Sequence, residues 1–169
     1  MRHTIMAALP AALLAYAGSP ATAQDPTADN VTAAYEQDGK HFTAEDIPTF
    51  HVGEDGTVDW YTFSGYRRYH SECHVCHGPD GQGSSYAPAL AKSALAMDYY
   101  DFVDVVVNGR VNGNSVMPSF GTNLNVMCYL DDIYVYLKAV GTESIPRGRP
   151  AKKAEKPDAF TAAEDACMG

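Results

Sequence analysis

The sequence predicts an all-α domain of few helices over residues 61–142, flanked by irregular extensions at both ends. Three observations predict it. Apolar residues recur at helical spacing over 125–140, where Val126, Tyr129, Leu130, Ile133, Tyr136, Leu137 and Val140 share one broad face. A second helical pattern begins near Thr62 and runs into Cys73-His74-Val75-Cys76-His77. The stretches that follow, 78–83 and 109–120, carry the glycine, proline and asparagine of loops.

The pentapeptide carries the chemistry. Cys-x-x-Cys-His is the attachment pattern of a c-type haem. Two cysteines one helical turn apart each add a thiol across a haem vinyl group, and the adjacent histidine then lies under the ring. On this reading Cys73 and Cys76 hold one haem c covalently and His77 is the proximal axial ligand. A zinc site needs two more ligands at matching spacing, and Cys128 and Cys167 are isolated singles. A redox dithiol expects a thioredoxin-like βαβ setting, which the flanks do not offer.

The whole chain sets the context. Arg2, the apolar stretch 5–17 and Ala21-Thr22-Ala23 fit a secretory leader cleaved after Ala23, so 1–23 reads as a signal peptide and the mature protein as periplasmic. No later stretch is long and apolar enough for a membrane helix. The formal charge is −9, which argues against nucleic-acid binding. Residues 24–60 form an acidic arm, with Asp25, Asp29, Glu36, Asp38, Glu45, Asp46, Glu54, Asp55 and Asp59 against Lys40. Residues 147–156 reverse the sign through Arg147, Arg149, Lys152, Lys153 and Lys156. The arm's composition predicts an irregular segment pinned by Tyr35, Phe42, Phe50 and Trp60, with His41 and His51 as surface or hydrogen-bonded histidines.

Gly65 and Tyr69 precede Cys73 by eight and four residues. With the haem motif, they give the chain a resemblance to the class I cytochrome c family, whose first helix has a glycine and an aromatic at those spacings. The resemblance implies that the glycine admits a close crossing by the last helix and that the aromatic packs there. After the turn-rich loop 78–83 comes Pro88-Ala89-Leu90, which resembles the family's proximal loop. It implies that the Pro88 carbonyl accepts a hydrogen bond from His77 and that Leu90 packs on the haem; such a bond makes the imidazole a stronger donor.

Residues 98–108 read as a helix capped by Asp98 and stopped by Gly109, although Val105-Val106-Val107 suits a strand equally. Met117-Pro118 then lies in a polar, glycine-rich loop where proline blocks a helix. The family places its sixth ligand in such a loop, so Met117 is the expected distal ligand; Met97 and Met127 compete from helix edges. Tyr136-Leu137 resembles the pair near the end of the family's final helix. On one continuous helix over 125–140, Cys128 falls on the opposite face with Val135 and Ala139. A disulfide from Cys128 to Cys167 would staple the tail 143–169 over that face; two free thiols are the alternative, which export disfavours.

Iron with histidine and methionine in both axial positions has no open site for turnover, which implies an electron carrier and not an enzyme. The lead-in 59–69 and the four cysteines resemble the cytochromes of methanol metabolism, similar to cytochrome cL. That resemblance implies a monomeric carrier taking single electrons from a methanol or alcohol dehydrogenase that uses pyrroloquinoline quinone (PQQ), including lanthanide-dependent ones. It passes them to a downstream cytochrome or oxidase. A general respiratory cytochrome and a haem-based sensor are the alternatives. Docking is expected around His74, Ser84 and residues 116–119, with steering by Glu54, Asp55 and Asp59.

Overall fold

The computed structural model describes residues 31–169. The expected leader, its cleavage after Ala23 and the acidic residues Asp25 and Asp29 lie outside the described residues. Helix α1 (Trp60–Glu72) leads into α2 (His74–His77) and a single 3₁₀ turn (Pro79–Gly81). Then come α3 (Leu90–Ala96), α4 (Tyr99–Asn108), α5 (Leu124–Met127), α6 (Leu130–Gly141) and α7 (Asp158–Met168). Three short strands precede α1: β1 (Tyr35–Gln37), β2 (Lys40–Phe42) and β3 (Pro48–Thr49). A further pair, β4 (Arg110–Asn112) and β5 (Ser115–Met117), follows α4.

The crossing of α1 over α6 is the centre of the core. Asp59 starts α1 as its N-cap: Oδ1 accepts the Thr62 amide at 2.8 Å, and Oδ2 accepts the Thr62 hydroxyl and the His51 amide. At Gly65 the two backbones come so close that a Cβ there would lie 1.8 Å from the Asp132 carbonyl oxygen. Tyr69 fills the next turn, with its ring 5.6 Å from that of Tyr136. On its other side α6 takes α3, where a Cβ on Gly141 would meet the Ala91 carbonyl at 2.3 Å. Leu130 and residues 132–140 are therefore buried all round the helix.

Both extensions are more ordered than their composition suggested. In the arm, β1 and β2 pair antiparallel with Gln37 opposite Lys40, and β3 adds to β2. The turn is Asp38-Gly39, both at positive φ, the two-residue hairpin geometry that Asp-Gly favours. The tail is not irregular either. Residues 152–154 bond to Val58 across the arm, and α7 buries Phe160 among Trp60, Tyr61 and Tyr129.

The helix expected over 125–140 is broken. Tyr129 leaves helical geometry (φ −131°, ψ 22°) between α5 and α6. Both residues at the break are tied to the tail: Cys128 is bonded to Cys167, and Tyr129 donates to Glu164 Oε1 while its ring lies under Arg68. Cys128 is therefore not on a back face of α6. Val135 and Ala139, expected beside it, are fully buried, and α7 covers α5 and the start of α1.

Two acids of the arm, Asp55 and Asp59, are engaged within the chain, and the arm's Lys40 is taken up by an acid of α6. Asp55 pairs with Lys152 at 3.2 Å, Lys40 pairs with Asp131, and Asp59 is 6% exposed. The Asp55 carboxyl is held down at about 2, by its bonds from Thr57 and then by Lys152. Lys153 lies over Trp60 and Arg149 over Phe63. Of the three residues expected to steer a partner, Asp59 is a buried helix cap and cannot do so.

Candidate haem-binding site

Cys73 ends α1 and begins α2, so its thiol sits at the joint between the two helices. The His77 amide bonds the Cys73 carbonyl at 3.0 Å, which places Cys73, Cys76 and His77 on a single turn. Cys73 and Cys76 are the two cysteines left free. Before attachment, burial first, with Glu72 and Cys76 adding, pushes the Cys73 thiol up to about 12. A protonated thiol is a poor nucleophile for premature disulfide exchange.

The loop after His77 closes on itself. The Gly83 amide bonds the His77 carbonyl at 2.7 Å, and Gly78 (φ 72°) lies where a Cβ would meet Gly83 O at 2.3 Å. Tyr69 clamps the same loop: its hydroxyl donates to Gly78 O at 2.6 Å and accepts from the Gly81 amide at 2.9 Å. His77 itself is 7% exposed, and its Nδ1 lies 3.0 Å from the Pro88 carbonyl oxygen. A carbonyl only accepts, so Nδ1 carries the proton and Nε2 keeps its lone pair for a metal. Leu90 opens α3 and packs against the core.

Met117 is the last residue of β5, opposite Arg110, and packs partly buried against the core. Its loop is a hairpin turned at Gly113-Asn114, where a plain loop was expected. Gly109 positions it. At φ 75°, a Cβ there would lie 2.6 Å from Met117 O and 2.8 Å from the Ser119 amide nitrogen. Sequence reasoning read Gly109 only as a helix stop. The Ser119 hydroxyl and the Phe120 amide tie the far side of the loop to α4. Met97 caps α3, and Met127 lines a cavity with Cys128 and Phe160 on the tail side.

Two free thiols and one oriented imidazole on a single turn fit a covalently attached haem. Family comparisons agree. A family model described as cytochrome c oxidase, cbb3-type, subunit III matches residues 63–137. Cytochrome c-555 of Methylococcus capsulatus is 35% identical over 96 residues, covering 56% of this chain and 75% of that protein. The chain belongs to the class I c-type cytochromes. As a member it carries covalently bound haem c.

Closer likeness extends beyond the haem domain of this cytochrome. Cytochrome c-553I of Paracoccus denitrificans is 59% identical over 147 residues, 85% of this chain. The chain spans 65% of the length of that relative, just under two thirds. The crystal structure of c-type cytochrome XoxG from Methylobacterium extorquens AM1 superposes with a TM-score of 0.80 at 51% identity. That likeness covers 84% of this chain and 89% of XoxG.

Proposed function

We propose that this cytochrome is a soluble periplasmic carrier that accepts single electrons from a PQQ-dependent methanol or alcohol dehydrogenase and passes them towards a respiratory acceptor. The observation that carries the reading is the reach of the likeness to XoxG. Its 84% coverage is far more than the haem domain, so the likeness reaches into the extensions as well. The four-cysteine set and the aromatic lead-in 59–69 point to the same methanol-metabolism type. Among the described residues no helix is long and apolar enough to cross a membrane.

In this reading Cys73 and Cys76 provide the thioether links, and His77 and Met117 the axial ligands. Bound haem c supplies a one-electron couple. Pro88 holds the His77 ring in one orientation and keeps Nε2 unprotonated. Leu90 contributes apolar cover. Val116, Pro118 and Ser119 stand exposed beside Met117, and Ser84 stands exposed beyond the attachment loop. An uncharged contact of this kind suits a small, short-lived redox encounter.

The test is stopped-flow reduction of the purified cytochrome by a PQQ methanol dehydrogenase, where saturable reduction within a catalytic turnover is expected. Absence of reduction by calcium- and lanthanide-loaded enzymes alike would overturn the donor assignment. The match to the cbb3-type oxidase model over 63–137 favours a second reading, a general respiratory cytochrome. Pull-down of the holoprotein from periplasmic extract separates the two by whether a dehydrogenase is retained.

A further inference from the structure

The loop after His77 is held by a charged cluster that haem attachment itself does not use. Asp80 is 5% exposed and has φ 54°, a left-handed turn state that Asp adopts more readily than most side chains. Its Oδ1 accepts the Tyr136 hydroxyl at 3.1 Å and lies 3.4 Å from His70 Nε2. Its Oδ2 lies 3.5 Å from Arg147 Nε. Thus α1, α6 and the tail all reach one buried carboxylate three residues beyond His77.

The tautomer of His70 follows from its contact with Tyr66. Nδ1 lies 2.8 Å from the Tyr66 carbonyl oxygen, which only accepts, so Nδ1 carries a proton. A neutral ring would then present the Nε2 lone pair to the Asp80 carboxylate. The imidazolium presents an N–H instead, and the ion pair is satisfied. The other groups facing the ring are Tyr66 and Tyr69 of α1, His74 of α2 and Tyr136 of α6. Burial pushes the Tyr69 and Tyr136 hydroxyls up, so neither brings a negative charge. Asp80 is the carboxylate that faces Nε2, and Arg147 shares it.

We propose that His70 and Asp80 are a positioning pair for electron transfer: a proton-linked charge, one helical turn before Cys73, that sets the reduction potential. A positive charge favours the reduced state of a nearby haem, so with His70 three residues before Cys73 the potential falls as His70 loses its proton. By linkage, His70 Nε2 binds a solvent proton more tightly once the haem has gained an electron. The inference rests on the carrier reading only in requiring the bound haem.

The test is potentiometric titration of the holoprotein from about pH 5 to about pH 9, a window that spans histidine protonation. The wild type should show a potential that falls with pH across one step. His70→Gln should abolish the step, and His74→Gln should retain it. Asp80→Asn should move the step to lower pH. Arg147→Gln, altered at an exposed side chain, should move it to higher pH and serves if the buried Asp80 variant does not assemble. A wild-type potential independent of pH overturns the proposal, as does a step that survives His70→Gln or vanishes in His74→Gln. No dehydrogenase is present in this measurement, so its failure leaves the donor assignment standing, and failure of the donor assignment leaves this pair standing.

Discussion

Replacing Asp132 by Asn should stabilise the protein at alkaline pH and matter little at acid pH. Asp132 lies in the α1–α6 crossing, 4% exposed, and its Oδ2 has no hydrogen-bond partner. Burial pushes its carboxyl up to about 7, with Asp131 and Asp59 adding and the Ser64 bond and Lys40 opposing. An acid raised on folding binds its proton more tightly in the native state. Its contribution is therefore complete below the unfolded value of 3.8 and lost as pH rises through about 7. At 1.36 kcal/mol per pH unit, the loss is at most about 4 kcal/mol by pH 8. Asparagine keeps the size and a polar partner for Ser64 but has no charge to desolvate. Urea unfolding of the holoprotein, followed by circular dichroism at pH 5, 6, 7 and 8, reads the difference between variant and wild type at each pH. The difference should grow in favour of the variant as pH rises. A difference that is flat with pH, or that grows against the variant, refutes the reasoning.

Three further outcomes follow from single contacts. Gly65→Ala should cost more than about 3 kcal/mol or prevent assembly, because its Cβ would meet backbone and not a yielding side chain; denaturant midpoints check it. Cys128→Ser with Cys167→Ser should leave the haem spectrum intact and lower stability by about 4 kcal/mol, the chain-entropy value for a bridge closing 39 residues. Met117→Ala should remove the weak sulfur-to-iron band of the oxidised protein and open the iron to added imidazole. An unchanged spectrum would exclude Met117 as ligand.

The elements legible in the sequence are those whose cause is local. Asp98 caps α4 by accepting the Tyr100 amide, and Gly109 ends it, as their positions alone imply. Cys73, Cys76 and His77 fall on one turn because their spacing is helical. The hairpin of the arm was also written locally, in Asp38-Gly39, but three-residue strands carry too little alternation to be seen beside an acidic composition. His77 and Pro88 are only eleven residues apart, and family resemblance supplied a bond that spacing alone could not.

What the tertiary structure decided are partnerships across long stretches of chain. Nothing near Tyr129 announces that the last helix breaks there; its ties run to Arg68 and to Glu164, 35 residues on. Asp59 looks like one more acid of a charged arm until α1 buries it as a cap. Asp80 reads as a turn residue, yet it meets Tyr136 from 56 residues away and Arg147 from the tail. The physical reason is the same each time. Periodicity, caps and attachment chemistry act over one or two turns, so residue order alone determines them. Which carboxylate is buried, and which cation answers it, depends on how packed elements bring distant side chains together, and only the folded chain fixes that.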